Sequence, residues 1–216
     1  MSIYADHVGP RLVRCLCGMR AIAAERRKVV PQARGVVIEI GFGPGLNLPF
    51  YDPARVARVI GVDPNDSFIR LGATRPAPRL PIEIVRAPAE RVPLPDASAD
   101  TAVITYTLCS VHDPLRALSE VRRVLRPDGR VLFLEHGLAD DAGVQRWQHR
   151  LNPIWRALAV GCNLDRPVTA MLRQAGFQIH ELAEFYLPKT PRAVGFHARG
   201  VAMPAPDAQP PRTGTP

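Results

Sequence analysis

A chain of 216 residues with 46% hydrophobic and 22% charged content can bury one sizeable core and is short for two domains. No apolar run approaches the roughly 20 residues of a membrane-spanning helix. The opening Met1-Ser2-Ile3-Tyr4-Ala5-Asp6-His7 lacks the charged-then-apolar plan of a secretory leader, so a cytoplasmic location is expected. The formal charge of +8 invites a nucleic-acid partner. Its carriers are scattered arginines, with lysine only at Lys28 and Lys189 and no basic run interleaved with aromatics, so no nucleic acid is expected. Cys15, Cys17, Cys109 and Cys162 form neither a Cys-x-x-Cys pair nor a zinc-ribbon spacing, and no metal is expected from them.

In chain order, residues 11–30 carry Leu12, Leu16, Met19, Ile22 and Ala23 at helical spacing, with arginines on the other positions. This basic helix can pack on the core, cover a ligand site, or touch a membrane surface. Pro31 ends it. Short apolar runs then follow at 36–40, 58–62, 82–85 and 101–105, each reading as a buried strand. A helix is expected over 114–125, with Asp113 as its cap and Pro114 at its first position. The turn Pro127-Asp128-Gly129 starts a fifth strand over 130–135. Helical stretches near 144–159 and 166–175 lead to strands at 177–182 and 193–198. These last two are too close for a helical crossover and must pair antiparallel at the sheet edge. The expected fold is α/β: a doubly wound, Rossmann-like, mostly parallel sheet of seven strands with an antiparallel last strand, plus the N-terminal helix. Residues 1–35 form the helical segment, 36–203 the domain, and 204–216 a disordered tail.

The first strand runs into Gly41-Phe42-Gly43-Pro44-Gly45-Leu46-Asn47, with a helix expected after it. Glycines there let the backbone approach a ligand. Asp63 ends the second strand, where a carboxylate can accept both hydroxyls of a ribose; the plainer role is a turn former or helix cap. A dinucleotide needs free amides for its pyrophosphate. Pro44 removes one, and Glu39 places a carboxylate two residues before the loop. A carboxylate suits the ammonium and sulfonium of S-adenosylmethionine (SAM) better than it suits a pyrophosphate.

Glu39-Ile40-Gly41-Phe42-Gly43-Pro44-Gly45-Leu46-Asn47 with Gly61-Val62-Asp63-Pro64-Asn65 resembles motifs I and II of class I SAM-dependent methyltransferases, and Leu125–Arg130 resembles the turn before their fifth strand. A narrower resemblance lies in Thr105–Val111, Phe133-Leu134-Glu135-His136, Leu151-Asn152-Pro153-Ile154-Trp155 and Gly161–Arg166. These segments are similar to the methyltransferase-like family that includes alkyl-thiol S-methyltransferases. Eukaryotic members carry an N-terminal membrane anchor, which is not expected here. The resemblance implies that Gly41, Gly43 and Gly45 wrap the methionine and ribose of SAM, with Glu39 beneath the amino group. It also implies that Asp63 binds the ribose hydroxyls, Pro64 and Asn65 border the adenine, and Ala89 and Glu90 face its edge. Phe42, Asn47, Thr105 and Leu108 complete the expected cofactor set. Pro88 stands where many relatives have an acid.

Methyl transfer from a sulfonium is an in-line displacement, so positioning dominates. The candidate acceptor-side residues at the strand ends are His136, His112, Asp113 and Glu135. Asp113 reads equally as a cap, His112 as a surface residue, and Cys109 as packing. Trp147 and Trp155 are either core or the wall of an apolar acceptor pocket. The expected activity is methyl transfer to a small hydrophobic acceptor, a thiol first, with a lipid amine, phenol or quinol as alternatives. A non-catalytic SAM- or nucleic-acid-binding protein is the reading from a different class, and the oligomeric state is left open.

Overall fold

The computed structural model describes residues 9–73 and 79–206. Seven strands form one sheet: β1 (Gly35–Ile40), β2 (Val56–Val62), β3 (Ile82–Val85), β4 (Ala99–Thr105), β5 (Leu125–His136), β6 (Phe177–Tyr186) and β7 (Phe196–Pro204). Their order is β3-β2-β1-β4-β5-β7-β6. The first five run parallel, and β7 is antiparallel to both its neighbours. The doubly wound plan and its reversed last strand are therefore as expected.

Each central strand is buried on both faces, and its alternation sorts residues between two cores. Ile38, Ile40, Ile104 and Phe133 face α4 (Pro114–Val124) and α6 (Val168–Gln174). On the opposite face Val37, Val103, Leu132 and Leu134 meet Val29 of α2 (Arg20–Val29) and Tyr51. By the same alternation Glu39 falls on the α2 face, in the company of Tyr51. The order reverses between β1 and β4, and ligands of open α/β sheets gather outside the strand ends at such a switch point.

Four sequence expectations need correction. The helix over 11–30 is two helices, α1 (Gly9–Cys17) and α2, separated at Gly18 and an extended Met19; glycine is a poor helix former. No α-helix follows the glycine loop. With Pro44, Pro49 and Pro53 present, only a 3₁₀ turn forms at Leu48–Phe50. The strand expected at 193–198 begins at Phe196, after α7, a single helical turn (Arg192–Gly195). It then runs on because β5 and β6 pair with it on both sides. β5 starts at Leu125: Ala99 pairs with Leu125 and Thr101 with Arg130, so residues 126–129 bulge out. Pro204 closes β7, and residues 207–216 of the expected tail lie outside the described residues. The remaining helices are α3 (Asp66–Ala73) and α5 (Ala142–Leu158). No described helix is long and apolar enough to cross a membrane.

Candidate active site

A cavity of about 720 Å³ opens at the switch point, a volume typical of small-molecule sites. Its floor is the carboxyl ends of β1, β4 and β5, and Leu16, Cys17, Met19, Ile22 and Arg26 close it from above. The N-terminal segment thus both packs on the sheet and covers the cavity. The buried stripe of α2 is Ile22, Arg26 and Val29, so one member of an otherwise apolar face is an arginine.

The glycine loop leaves β1 in left-handed backbone. At Gly41 (φ +72°) a Cβ would lie 2.2 Å from Thr107 Oγ1, so this glycine serves close packing. Gly43 (φ +55°) faces open space, its hypothetical Cβ meeting only the Gly41 carbonyl at 3.7 Å. The Gly43 amide donates to Asp63 Oδ2 at 2.7 Å, and the Asn65 amide to Oδ1 at 2.8 Å. Burial raises the Asp63 carboxyl from its ordinary value while the two amides pull against that shift. Asn65 in turn accepts from the amides of Ser67 and Phe68, starting α3.

Beneath the loop lies a buried polar cluster. Glu39 accepts from Asn47 Nδ2 at 3.0 Å and Tyr51 Oη at 2.6 Å. Burial pushes its carboxyl up to about 7, against these two hydrogen bonds and the charge of Arg26. Arg26, 2% exposed, donates from one Nη to Asn47 Oδ1 (2.9 Å) and Thr105 Oγ1 (3.0 Å) and lies over the Tyr106 ring. Its Nε has no hydrogen-bond partner among the described residues. A buried cation beside a buried carboxylate, with a donor unspent, is arranged for a ligand with opposite charges of its own.

Of the residues singled out in the sequence, Glu39, Gly41, Phe42, Gly43, Asp63, Pro64, Asn65, Ala89, Glu90, Thr105, His112 and His136 line this cavity. Four do not. Gly45 sits behind the loop against Leu48 and Gly72. Asn47 supports Glu39 and Arg26 from below. Leu108 belongs to the core under α4, its amide donating to Glu135. Asp113 caps α4, accepting from Leu115 and Arg116, the plainer of the two roles read from the sequence. Replacing Asp113 by Ala is accordingly expected to lower stability by about 1 kcal/mol and to leave methyl transfer unchanged; a melting curve beside an activity assay checks both. His112 lies exposed at the cavity rim, and Glu90 Oε1 accepts from the Asp113 amide.

His136 ends β5 with Nε2 2.8 Å from Cys162 Sγ. The Sγ atoms of Cys109 and Cys162 and a ring nitrogen of His136 lie within 4.8 Å of one another. Trp155 donates from Nε1 to Cys162 Sγ at 3.3 Å and walls the cavity, while Trp147 is 58% exposed. His197 also lines the cavity; burial lowers it to about 4, and its Nδ1 donates to the Gly195 carbonyl at 2.7 Å. Sequence reasoning missed Arg26, Tyr51, Cys162 and His197. Only the invariably polar nature of arginine at a buried helical position offered a signal, and that position is visible only once the helix is docked.

Residues 38–133 match the family described as a methyltransferase domain. Human thiol S-methyltransferase TMT1A is 34% identical over 178 residues, 80% of this chain and 72% of that protein. Human TMT1B is 33% identical over 198 residues, 85% of this chain and 80% of that protein. A SAM-dependent methyltransferase from Thermotoga maritima superimposes with a TM-score of 0.64 at 20% identity, covering 93% and 97% of the two chains. The chain belongs to the family of SAM-dependent methyltransferases that includes the thiol S-methyltransferases TMT1A and TMT1B.

Proposed function

We propose that the protein transfers the methyl group of SAM to a small hydrophobic thiol, and that both substrates meet in the 720 Å³ cavity. The observation that carries this reading is the polarity of the cavity. A carboxylate–arginine–glycine-loop end faces a wall of Cys109, His136, Cys162 and Trp155. SAM supplies an activated methyl group on a sulfonium.

This chain's residues fit SAM. Asp63, held by two amides, is placed for the ribose hydroxyls, and the open face of Gly43 leaves room for the backbone to approach. Glu39 suits the ammonium of the methionine moiety, and the unspent Nε of Arg26 suits its carboxylate. Pro64, Asn65, Ala89 and Glu90 border the space left for the adenine. The acceptor thiol would lie against the sulfur–imidazole wall, which favours loss of its proton, and closure by α1 and α2 excludes water. A cavity of this size favours a small molecule over a nucleic acid.

The test is detection of the S-methylated product from an alkyl thiol and SAM. His136→Ala is expected to lower turnover at least about tenfold while affinity for S-adenosylhomocysteine (SAH) stays within twofold. Equal turnover would remove His136 from the acceptor side.

A pH dependence follows from Glu39. Its folded value near 7 exceeds the unfolded value of about 4.3. The folded state therefore holds the extra proton between those values, and this group's contribution to stability falls as pH rises through the window. An ammonium ligand binds the ionised form, so SAH affinity should rise about tenfold from pH 6 to pH 8, with the proton released below 7. Glu39→Gln should flatten that profile. A profile unchanged by this substitution would disconnect Glu39 from the ligand.

A further inference from the structure

We propose that Cys109, His136 and Cys162 form a zinc site whose fourth position faces the cavity and takes the sulfur of the acceptor. This deepens the thiol reading and rests on it for the identity of the fourth ligand. Two cysteines and one histidine with an open position are a donor set of catalytic zinc. The three ligand atoms lie within 4.8 Å of one another. A tetrahedral zinc sets sulfurs about 3.8 Å apart and sulfur and nitrogen about 3.6 Å apart. The 2.8 Å contact between His136 Nε2 and Cys162 Sγ therefore needs to widen by less than about 1 Å as the metal replaces the shared proton.

The surroundings hold the ligands in place. Cys162 lies two residues after Val160 (φ +52°), a β-branched residue in left-handed backbone that a loop keeps only when other contacts dictate it. Those contacts lead to the other cysteine. The Asn163 amide and side chain both donate to the Cys109 carbonyl at 2.8 Å. Glu135, the neighbour of His136, accepts from the amides of Thr107 and Leu108 and so fixes the turn that carries Cys109. Arg166 donates to the carbonyls of Leu108 and Val111 on either side of Cys109. The Trp155 N–H on Cys162 Sγ is the kind of outer contact that orients a metal-bound thiolate.

Charge also favours a metal. Cys109 is buried and Cys162 partly so, and thiolates there need a compensating cation. Two thiolates, a neutral imidazole and Zn²⁺ sum to zero. On binding, the acceptor's S–H bond breaks, its proton goes to solvent, and the sulfur lone pair forms the bond to zinc in place of water. The product is a thiolate held at the wall of the cavity at neutral pH.

The test uses the full chain, stripped with a chelator, in a non-thiol reductant, and titrated first with Co²⁺ and then with Zn²⁺. One equivalent of Co²⁺ is expected to give a thiolate-to-metal charge-transfer band and the visible bands of a tetrahedral site, both abolished by Zn²⁺. Cys162→Ser and Cys109→Ser should each weaken Co²⁺ binding at least about hundredfold, and Cys15→Ser should not. SAH binding verifies that each variant is folded. Wild type that binds SAH but develops no charge-transfer band overturns the proposal, as does Cys162→Ser binding Co²⁺ like wild type. Full-rate thiol methylation by metal-free protein also overturns it while leaving the thiol reading intact. Stoichiometric metal with no thiol turnover instead supports the metal centre and sinks the thiol as its fourth ligand.

Discussion

Replacing Asp63 by Ala is expected to weaken SAH binding by about 30- to 160-fold, the 2–3 kcal/mol scale of lost hydrogen bonds to a charged group. The carboxylate is 6% exposed and holds the amides of Gly43 and Asn65 on its two oxygens. Its removal takes away the proposed ribose ligand and also orphans both donors. The loop and the start of α3 should then loosen together. Asp63→Asn keeps one acceptor oxygen and should fall between the two. Calorimetric titration with SAH reads the effect directly, and wild-type affinity in the Ala variant would remove the ribose from this position.

Gly41→Ala should cost about 3 kcal/mol, lowering the melting temperature by roughly 6–12 °C in a chain of this size. Two penalties add. The left-handed φ of +72° strains any residue with a Cβ, and that Cβ would lie 2.2 Å from the Thr107 hydroxyl oxygen. Thr107 cannot swing away freely, because its hydroxyl donates to the Ile40 carbonyl at 2.8 Å and its amide to Glu135. Gly43→Ala is the matched control. It carries similar backbone strain but meets open space, so its stability cost should be only about 1 kcal/mol. Its larger effect should fall on SAH affinity, because the new methyl group projects toward the cavity. Thermal melts of the two variants, alone and with SAH, separate packing from ligand contact. Equal stability losses would contradict the assignment of different roles to these two glycines.

The parts of the site that were legible in the sequence are those whose chemistry is local. The loop from Glu39 to Gly45 and the acid at Asp63 sit at fixed offsets from two apolar strands, so chain order alone brings them to the switch point. The antiparallel end of the sheet was legible too, because too few residues separate β6 from β7 for a crossover. Arg26 was not, since a basic residue on a basic helix ordinarily faces water, and only the docking of α2 against β5 and β7 buries it. Cys109, His136 and Cys162 were not legible as a group. They come from the turn after β4, the end of β5 and the loop after α5, and no short spacing joins them. The expected helix after the glycine loop failed because three prolines within ten residues outweigh a strand–loop–helix precedent. Trp147 and Trp155 share a helix but not a fate, one facing solvent and the other Cys162.

The most direct test of the central claim is methyl transfer from labelled SAM to a panel of alkyl and aryl thiols, phenols, quinols and phosphatidylethanolamine. The account predicts labelled thioethers from the hydrophobic thiols, with the other acceptors at background, and loss of turnover in His136→Ala with SAH binding retained. Transfer to a phenol, quinol or lipid amine with none to any thiol would contradict it.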